Sequence, residues 1–141
     1  DGNTRTLDVT PSAPGVLVYF RVFAANSLGS STSAAMNGVR MPFVAPAQAG
    51  APVVTTAANS TSAAPRISIT WSAPANLGGS SLSYYSLQVS VDGTNWVTWA
   101  NTTALNWYAP RPATGTTLQY RVVTLVSSGL NSISAVTTVT H

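Results

Sequence analysis

The sequence predicts an all-β fold, and three observations carry that prediction. No stretch of the 141-residue chain keeps helical periodicity over three turns, whereas apolar and polar residues repeatedly alternate with period two. Clusters of Pro, Gly, Asn and Ser punctuate the alternating stretches. Residues 17–29 (LVYFRVFAANSLG) also return in outline as residues 117–129 (TLQYRVVTLVSSG). Phe20-Arg21-Val22 falls on Tyr120-Arg121-Val122, and Gly15 and Gly29 fall on Gly115 and Gly129, at an offset of 100 positions. Ser31–Ala34 then matches Ser132–Ala135 with one residue inserted. Such a period exceeds the roughly 20–50 residues of solenoid units and suits one two-sheet sandwich of about 100 residues per repeat. The chain therefore reads as the last part of one sandwich (1–41), a linker (42–49) and a complete sandwich (50–141).

Each element has its own signal. Residues 4–10 alternate, with Leu7 and Val9 inward, and Pro11–Gly15 is a turn cluster. Residues 16–25 form an apolar run expected of a central strand buried on both edges. After the turn at Asn26–Gly29, a polar strand is expected over 31–40, and Pro42 and Pro46 stiffen the linker. A first strand at 52–57 starts at Pro52, where a missing N–H is tolerated. Residues 66–71 place Ile67, Ile69 and Trp71 on the core face. Residues 73–80 read as a flexible interstrand loop. In the strand over 82–91 the inward set is Leu82, Tyr85, Leu87 and Val89, whose first spacing implies a bulge. Asp92-Gly93 signals a type I′ hairpin into a strand at 95–99. Strands near 103–109, 117–126 and 131–140 complete seven.

Composition narrows function. Only 6% of residues are charged, with no Lys and no Glu, against roughly 25% in an average soluble domain. The basic balance comes from Arg5, Arg21, Arg40, Arg66, Arg111 and Arg121, which are scattered along the chain and do not form a nucleic-acid footprint. A weakly charged surface gives little protection against self-association. Without Cys there is no disulfide scaffold, thiolate metal site or cysteine nucleophile. No apolar run reaches the length of a membrane span, so no membrane insertion is expected.

Several residues form an ordered set: Ile69-x-Trp71, Pro74, the Leu77-Gly78-Gly79-Ser80 loop, Leu82-x-x-Tyr85-x-Leu87, Asp92-Gly93-x-x-Trp96, Gly115-Thr116, and Tyr120-Arg121-Val122 closing on Gly129. This set resembles the fibronectin type III domain, an immunoglobulin-like β-sandwich. The resemblance covers about residues 50–141 and makes 1–41 similar to strands E, F and G of a preceding copy. The family's corner tyrosine near the start of strand F is replaced by Val18 and Leu118. Its joint loss in both repeats suggests a bacterial or phage-like branch, with packing and Pro110 and Pro112 fixing that corner. No Arg-Gly-Asp tripeptide supports integrin binding.

The inventory for chemistry is short. Ordinary acids and bases are Asp1, Asp8, Asp92 and His141. Asp1 and His141 stand where chain ends fray, Asp8 projects outward between Leu7 and Val9, and Asp92 is explained by its turn. No paired carboxylates or nucleophile elbow exist, so no catalytic residue is expected. Asp92 with Asn95 is the one calcium candidate and falls short of six oxygens; no cofactor or metal is expected. Asn59 and Asn101 stand in glycosylation patterns that a chain rich in Asn, Ser and Thr produces by chance. The aromatic contact candidates are Trp96, Trp99, Trp107 and Tyr108. Strand alternation sends Trp96 and Trp99 to opposite faces, and Trp107 and Tyr108 likewise.

The leading expectation is a non-catalytic structural or adhesive module of an extracellular or cell-surface fibre or large repeat protein, a filament partnered by adjacent repeats or copies of itself. The alternatives are a spacer or glycan-contacting, carbohydrate-binding module of a secreted polysaccharide-degrading enzyme, or a phage tail or capsid decoration domain. Three strands over 1–41 cannot bury the run Val16–Ala25 alone. Either the same polypeptide supplies the missing strands, the favoured expectation, or a neighbouring subunit donates them.

Overall fold

Twelve strands form among the described residues. They are β1 (Leu17–Val18), β2 (Phe23–Asn26), β3 (Gly29–Thr32), β4 (Val39–Arg40), β5 (Val53–Thr56), β6 (Arg66–Thr70), β7 (Leu82–Ser90), β8 (Val97–Thr102), β9 (Asn106–Pro110), β10 (Thr117–Val126), β11 (Asn131–Ile133) and β12 (Thr137–Thr140). The computed structural model describes residues 6, 8–10, 13–58 and 60–141. No helix occurs among them, and therefore none long and apolar enough to cross a membrane.

Two antiparallel sheets face each other over β5–β12. One has the order β11-β10-β7-β8, with β12 continuing alongside β10; the other has the order β5-β6-β9. β10 is the hub, and every second residue along it is buried: Leu118, Tyr120, Val122, Thr124 and Val126. Opposite them lie Ile67 and Ile69 of β6 and Trp71 just beyond it; beside them in the same sheet are Tyr85, Leu87 and Val89 of β7, with Leu82 packed partly against the same core. Trp71 meets Tyr85 edge to face, ring centroids 5.9 Å apart. The expected bulge is present: Leu125 opposes Tyr84 and Val126 opposes Leu82, leaving Ser83 as the extra residue.

Asp92-Gly93 does not form the expected type I′ turn. That turn needs positive φ at both central residues, and among the described residues only glycines have it; Gly93 has φ 75°. A longer loop connects β7 to β8 instead. Asp92 organises it, its Oδ1 accepting bonds from the amides of Thr94 (2.8 Å) and Asn95 (2.7 Å). The last strand is also broken, at Ser134. There the hydroxyl accepts the Val122 amide (2.9 Å) and donates to the Ala135 carbonyl (2.9 Å), taking the place of one ladder acceptor, while the Ser134 amide still donates to the Val122 carbonyl (2.9 Å).

The repeat in sequence is a repeat in geometry. Ser33 accepts the Val22 amide (2.8 Å) and donates to the Ala34 carbonyl (3.0 Å), reproducing the device at Ser134. β2 pairs with β3 and β1 with β4, so the expected strand over 31–40 is interrupted in the same way. Burial separates the two copies. Val122 is 0% exposed, whereas its counterpart Val22 is 69% exposed, and Tyr19, Phe23, Leu28 and Met36 are also exposed. The expectation that 16–25 is buried on both edges is not met: among the described residues the run pairs along one edge only and no second sheet covers it. The strand expected over 4–10 lies partly outside the described residues; residues 6 and 8–10 carry no strand, and Val9, expected inward, is half exposed.

Trp71→Ala should destabilise the sandwich by about 3–5 kcal/mol, the range for deleting a buried aromatic, as read from denaturant unfolding. The hydroxyl of Thr124 is buried with no hydrogen-bond partner. Thr124→Val removes that group at nearly constant volume and should raise stability by about 1 kcal/mol.

Candidate functional site

β8, β9 and β10 border an open groove at the side of the sandwich. Trp99, Trp107, Tyr108, Pro110, Arg111 and Leu118 line it, around a volume of about 490 Å³. Trp99 belongs to both groove and core, for its ring stands edge-on to Tyr120 at 5.9 Å. Trp107 opposes Ile69 and Tyr108 opposes Ser68 across the β6–β9 pair. The two rings therefore leave β9 on opposite faces. Trp96 stands apart from all three. Its indole N–H donates to the Gly93 carbonyl (3.1 Å), and the Arg121 guanidinium covers its ring at 4.0 Å. Arg121 is fixed in turn by Gln88, whose side-chain oxygen accepts its Nε–H at 2.8 Å.

The four aromatic candidates thus do not make one platform. Two have a ring face or edge already engaged, and the other two diverge. Arg111 and Leu118 complete the groove without having been singled out for it. Leu118 carried a signal in the strand alternation; Arg111 lies in a loop and had none.

Asp92 and His141 are engaged in structure. Asp92 is held well below the usual carboxylate range. The Asn95 amide contributes most, followed by the Asn95 side chain, the Thr94 amide and the Ser90 hydroxyl. Asn95 turns its amide nitrogen, not its oxygen, to Asp92 Oδ2 (2.6 Å). The pair therefore does not aim two oxygens at one point, as a calcium site would require. Among the described residues no three His, Cys, Asp or Glu side chains cluster as metal ligands. His141 is not frayed, contrary to expectation. Its ring shares a 2.7 Å hydrogen bond with the Tyr120 hydroxyl, and its amide donates to the Thr116 carbonyl (3.0 Å). Burial and then Arg111 push its pKa down, and burial pushes the Tyr120 hydroxyl up to about 12. Asn101 is exposed on β8, and Asn59 lies outside the described residues.

A second constellation sits where residues 42–50 meet the sandwich. The Val44 amide donates to the Gly78 carbonyl (3.1 Å), the Ala47 amide to the Asn76 carbonyl (3.0 Å) and the Gly50 amide to the Ser72 carbonyl (3.0 Å). Ser132 donates its hydroxyl to the Ala47 carbonyl (2.8 Å). From the other side the Gly15 amide donates to the Pro42 carbonyl (3.2 Å). A Cβ on Gly79 would lie 2.3 Å from the Pro14 carbonyl oxygen, and one on Gly15 would lie 2.7 Å from the Gly79 oxygen and from the Phe43 ring. Both glycines have positive φ, 84° and 72°. The loop expected to be flexible is therefore clamped backbone to backbone. Its signal was the Gly78-Gly79 pair, which reads equally well as a mobile loop.

No protein-family profile matches the chain, and no curated protein matches it in sequence. Solved structures do. The sixth fibronectin type III domain of human fibronectin type III domain containing protein 3 superposes with a TM-score of 0.57 at 22% identity, covering 69% of this chain and 86% of that one. The extracellular region of rat CD45, domains d3–d4, gives 0.64 at 14% identity, with 99% and 72% covered. The fold is that of the fibronectin type III domain. Domains A168–A170 of titin give 0.56 at 20% identity, with 88% of this chain and 40% of that one covered. In the vocabulary of the fibronectin type III fold, β5, β6 and β9 are strands A, B and E. β7, β8 and β10 are C, C′ and F, and the broken β11–β12 is G.

Stability should fall in two stages on acidification. The folded-state pKa of His141 lies below its ordinary 6.5, so its contribution is complete above that value and is lost as pH drops through the folded one. Asp92, lowered from 3.8, adds its loss only in stronger acid. Urea midpoints measured against pH should show both stages, with His141→Gln flattening the first and Asp92→Asn the second.

Proposed function

We propose that this chain is a non-catalytic structural module of a long extracellular or cell-surface repeat protein, in which successive fibronectin type III sandwiches are joined end to end at fixed angles. Residues 1–41 act as the end of one sandwich, 42–49 as the joint and 50–141 as the next sandwich. The observation that carries this reading is the clamp at Gly15, Gly78 and Gly79. A joint meant only to tether would not bring two loop backbones so close that neither tolerates a Cβ. Supporting it, the carboxylate of Asp92 is spent on its own turn, and the imidazole of His141 on Tyr120. Neither is poised to transfer a proton to a substrate.

Strands from a preceding part of the same polypeptide are proposed to cover Val22, Phe23 and Met36. The internal template is β10, whose equivalent face lies under β6 and Trp71. In a second copy of this chain, strands β5–β12 are already paired within their own sheets, which favours a donor from the same polypeptide. The glycan-contacting alternative draws on the groove at Trp107 and Tyr108, but divergent rings favour packing against protein over stacking on a planar run of sugars.

The test measures orientation. In the 1–141 protein, residual dipolar couplings of amides in 13–41 and in 50–141 should fit one alignment tensor. Gly79→Val should split them into two while the couplings within β5–β12 persist. Two tensors in the unsubstituted protein would reject the fixed joint.

A further inference from the structure

The clamp has two halves, and the far end of the sandwich carries a second copy of one of them. Gly15 and Gly115 correspond in the repeat, and both have a left-handed backbone, with φ 72° and 85°. Ala13 and Ala113 precede them at the same position. The strand exits correspond as well. The Met41 amide donates to the Val16 carbonyl (2.8 Å), and the His141 amide donates to the Thr116 carbonyl (3.0 Å). Gly15 donates its own amide to the carbonyl of Pro42, and Gly115 donates to that of His141. The two sites differ in what covers them. Gly15 is buried beneath Gly79 and Phe43, whereas Gly115 is exposed and a Cβ on it would meet nothing within 4 Å.

We infer that residues 113–116, with the exit at His141, are a docking surface for the B–C loop of a following fibronectin type III sandwich. The partner is another repeat of this kind, carrying a Gly-Gly pair equivalent to Gly78-Gly79 and entering through a linker equivalent to Pro42–Gly50. This rests on the reading of the chain as a repeat module and adds the contact by which the array continues. The occupant is identified by the chain itself, because residues 13–15 already hold such a loop in place. Glycine at 115 gains a purpose by the same comparison. A Cβ on Gly15 would lie 2.7 Å from the Gly79 carbonyl oxygen, and Gly115 stands at the equivalent position of the repeat. The sandwich's own loop at 76–80 cannot serve, since it is occupied at the opposite end by residues 13–15 and 42–47.

The experiment uses the full chain continued from His141 directly into a second copy of residues 42–141, with isotope in the first copy only. Amide shifts of residues 113–116 are compared between this tandem and its variant bearing Gly79→Val in the second copy alone. Both carry the same linker, so any difference reports docking. The expected result is a shift difference confined to 111–116 and 141. Exchange of the Gly115 amide should also be at least about tenfold slower in the unsubstituted tandem, the signature of a covered loop. Gly115→Val in the first copy should abolish both effects. Spectra of the second copy, labelled separately, report whether its Tyr120 and Val122 amides remain protected, so a misfolded variant is recognised and Gly115→Val then decides. Identical shifts at 113–116 in tandem and variants would overturn the inference. If Gly79→Val in the first copy still frees residues 13–41, only the inference fails; if it does not, the fixed joint itself fails.

Discussion

A strand that turns apolar residues to one side must have a second layer over that side, and this constraint governs the whole molecule. β10 satisfies it: its inward residues are closed over by β6 and Trp71, and β7 and the broken last strand occupy its two edges. The segment over 16–26 has much the same sequence and the same serine device, yet among the described residues no layer covers it, and its valine at 22 stands in solvent. Sequence sets which face is apolar; neighbours decide whether that face is buried. At about 25 cal/mol per Å², the contrast explains why one copy holds a core and the other waits for one.

The fold was largely legible because it rests on period-two alternation. β6 and β10 follow directly from Ile67-x-Ile69 and from Leu118-x-Tyr120-x-Val122, and the bulge at Ser83 follows from the spacing of Leu82 and Tyr85. Features set by a single polar atom were not legible. Nothing in the composition distinguishes Ser134, which breaks the last strand, from the other serines nearby. Asp92-Gly93 carries a hairpin signature, but Asn95 and Thr94 offer the carboxylate better partners two and three residues on, and a longer loop results. The clamp escaped notice for a different reason. Its close approach joins Pro14 to Gly79, residues far apart in sequence, and local pattern carries no information about such encounters.

The candidate site was legible only as a set of residue types. Trp96, Trp99, Trp107 and Tyr108 lie on the expected strand or loop segments, but their grouping depends on register. One residue of phase puts Trp107 and Tyr108 on opposite faces of β9, and Arg121 reaches Trp96 across β7, where Gln88 holds it. The polar chemistry present is used to hold loops and strand ends: Asp92 for the C–C′ loop, and His141 with Tyr120 for the end of the last strand.

The broken final strand has a consequence for solubility. A straight strand along the rim of a sheet offers a continuous row of unpaired amides and carbonyls to any passing chain, and proteins usually blunt it with lysines or other charges. This protein has no lysine and only nine charged residues. Ser33 and Ser134 divide the rim into pieces of two to four residues, β3 and β4 in one copy and β11 and β12 in the other. Colloidal protection that other sandwiches draw from charge is drawn here from geometry, by one hydroxyl per repeat.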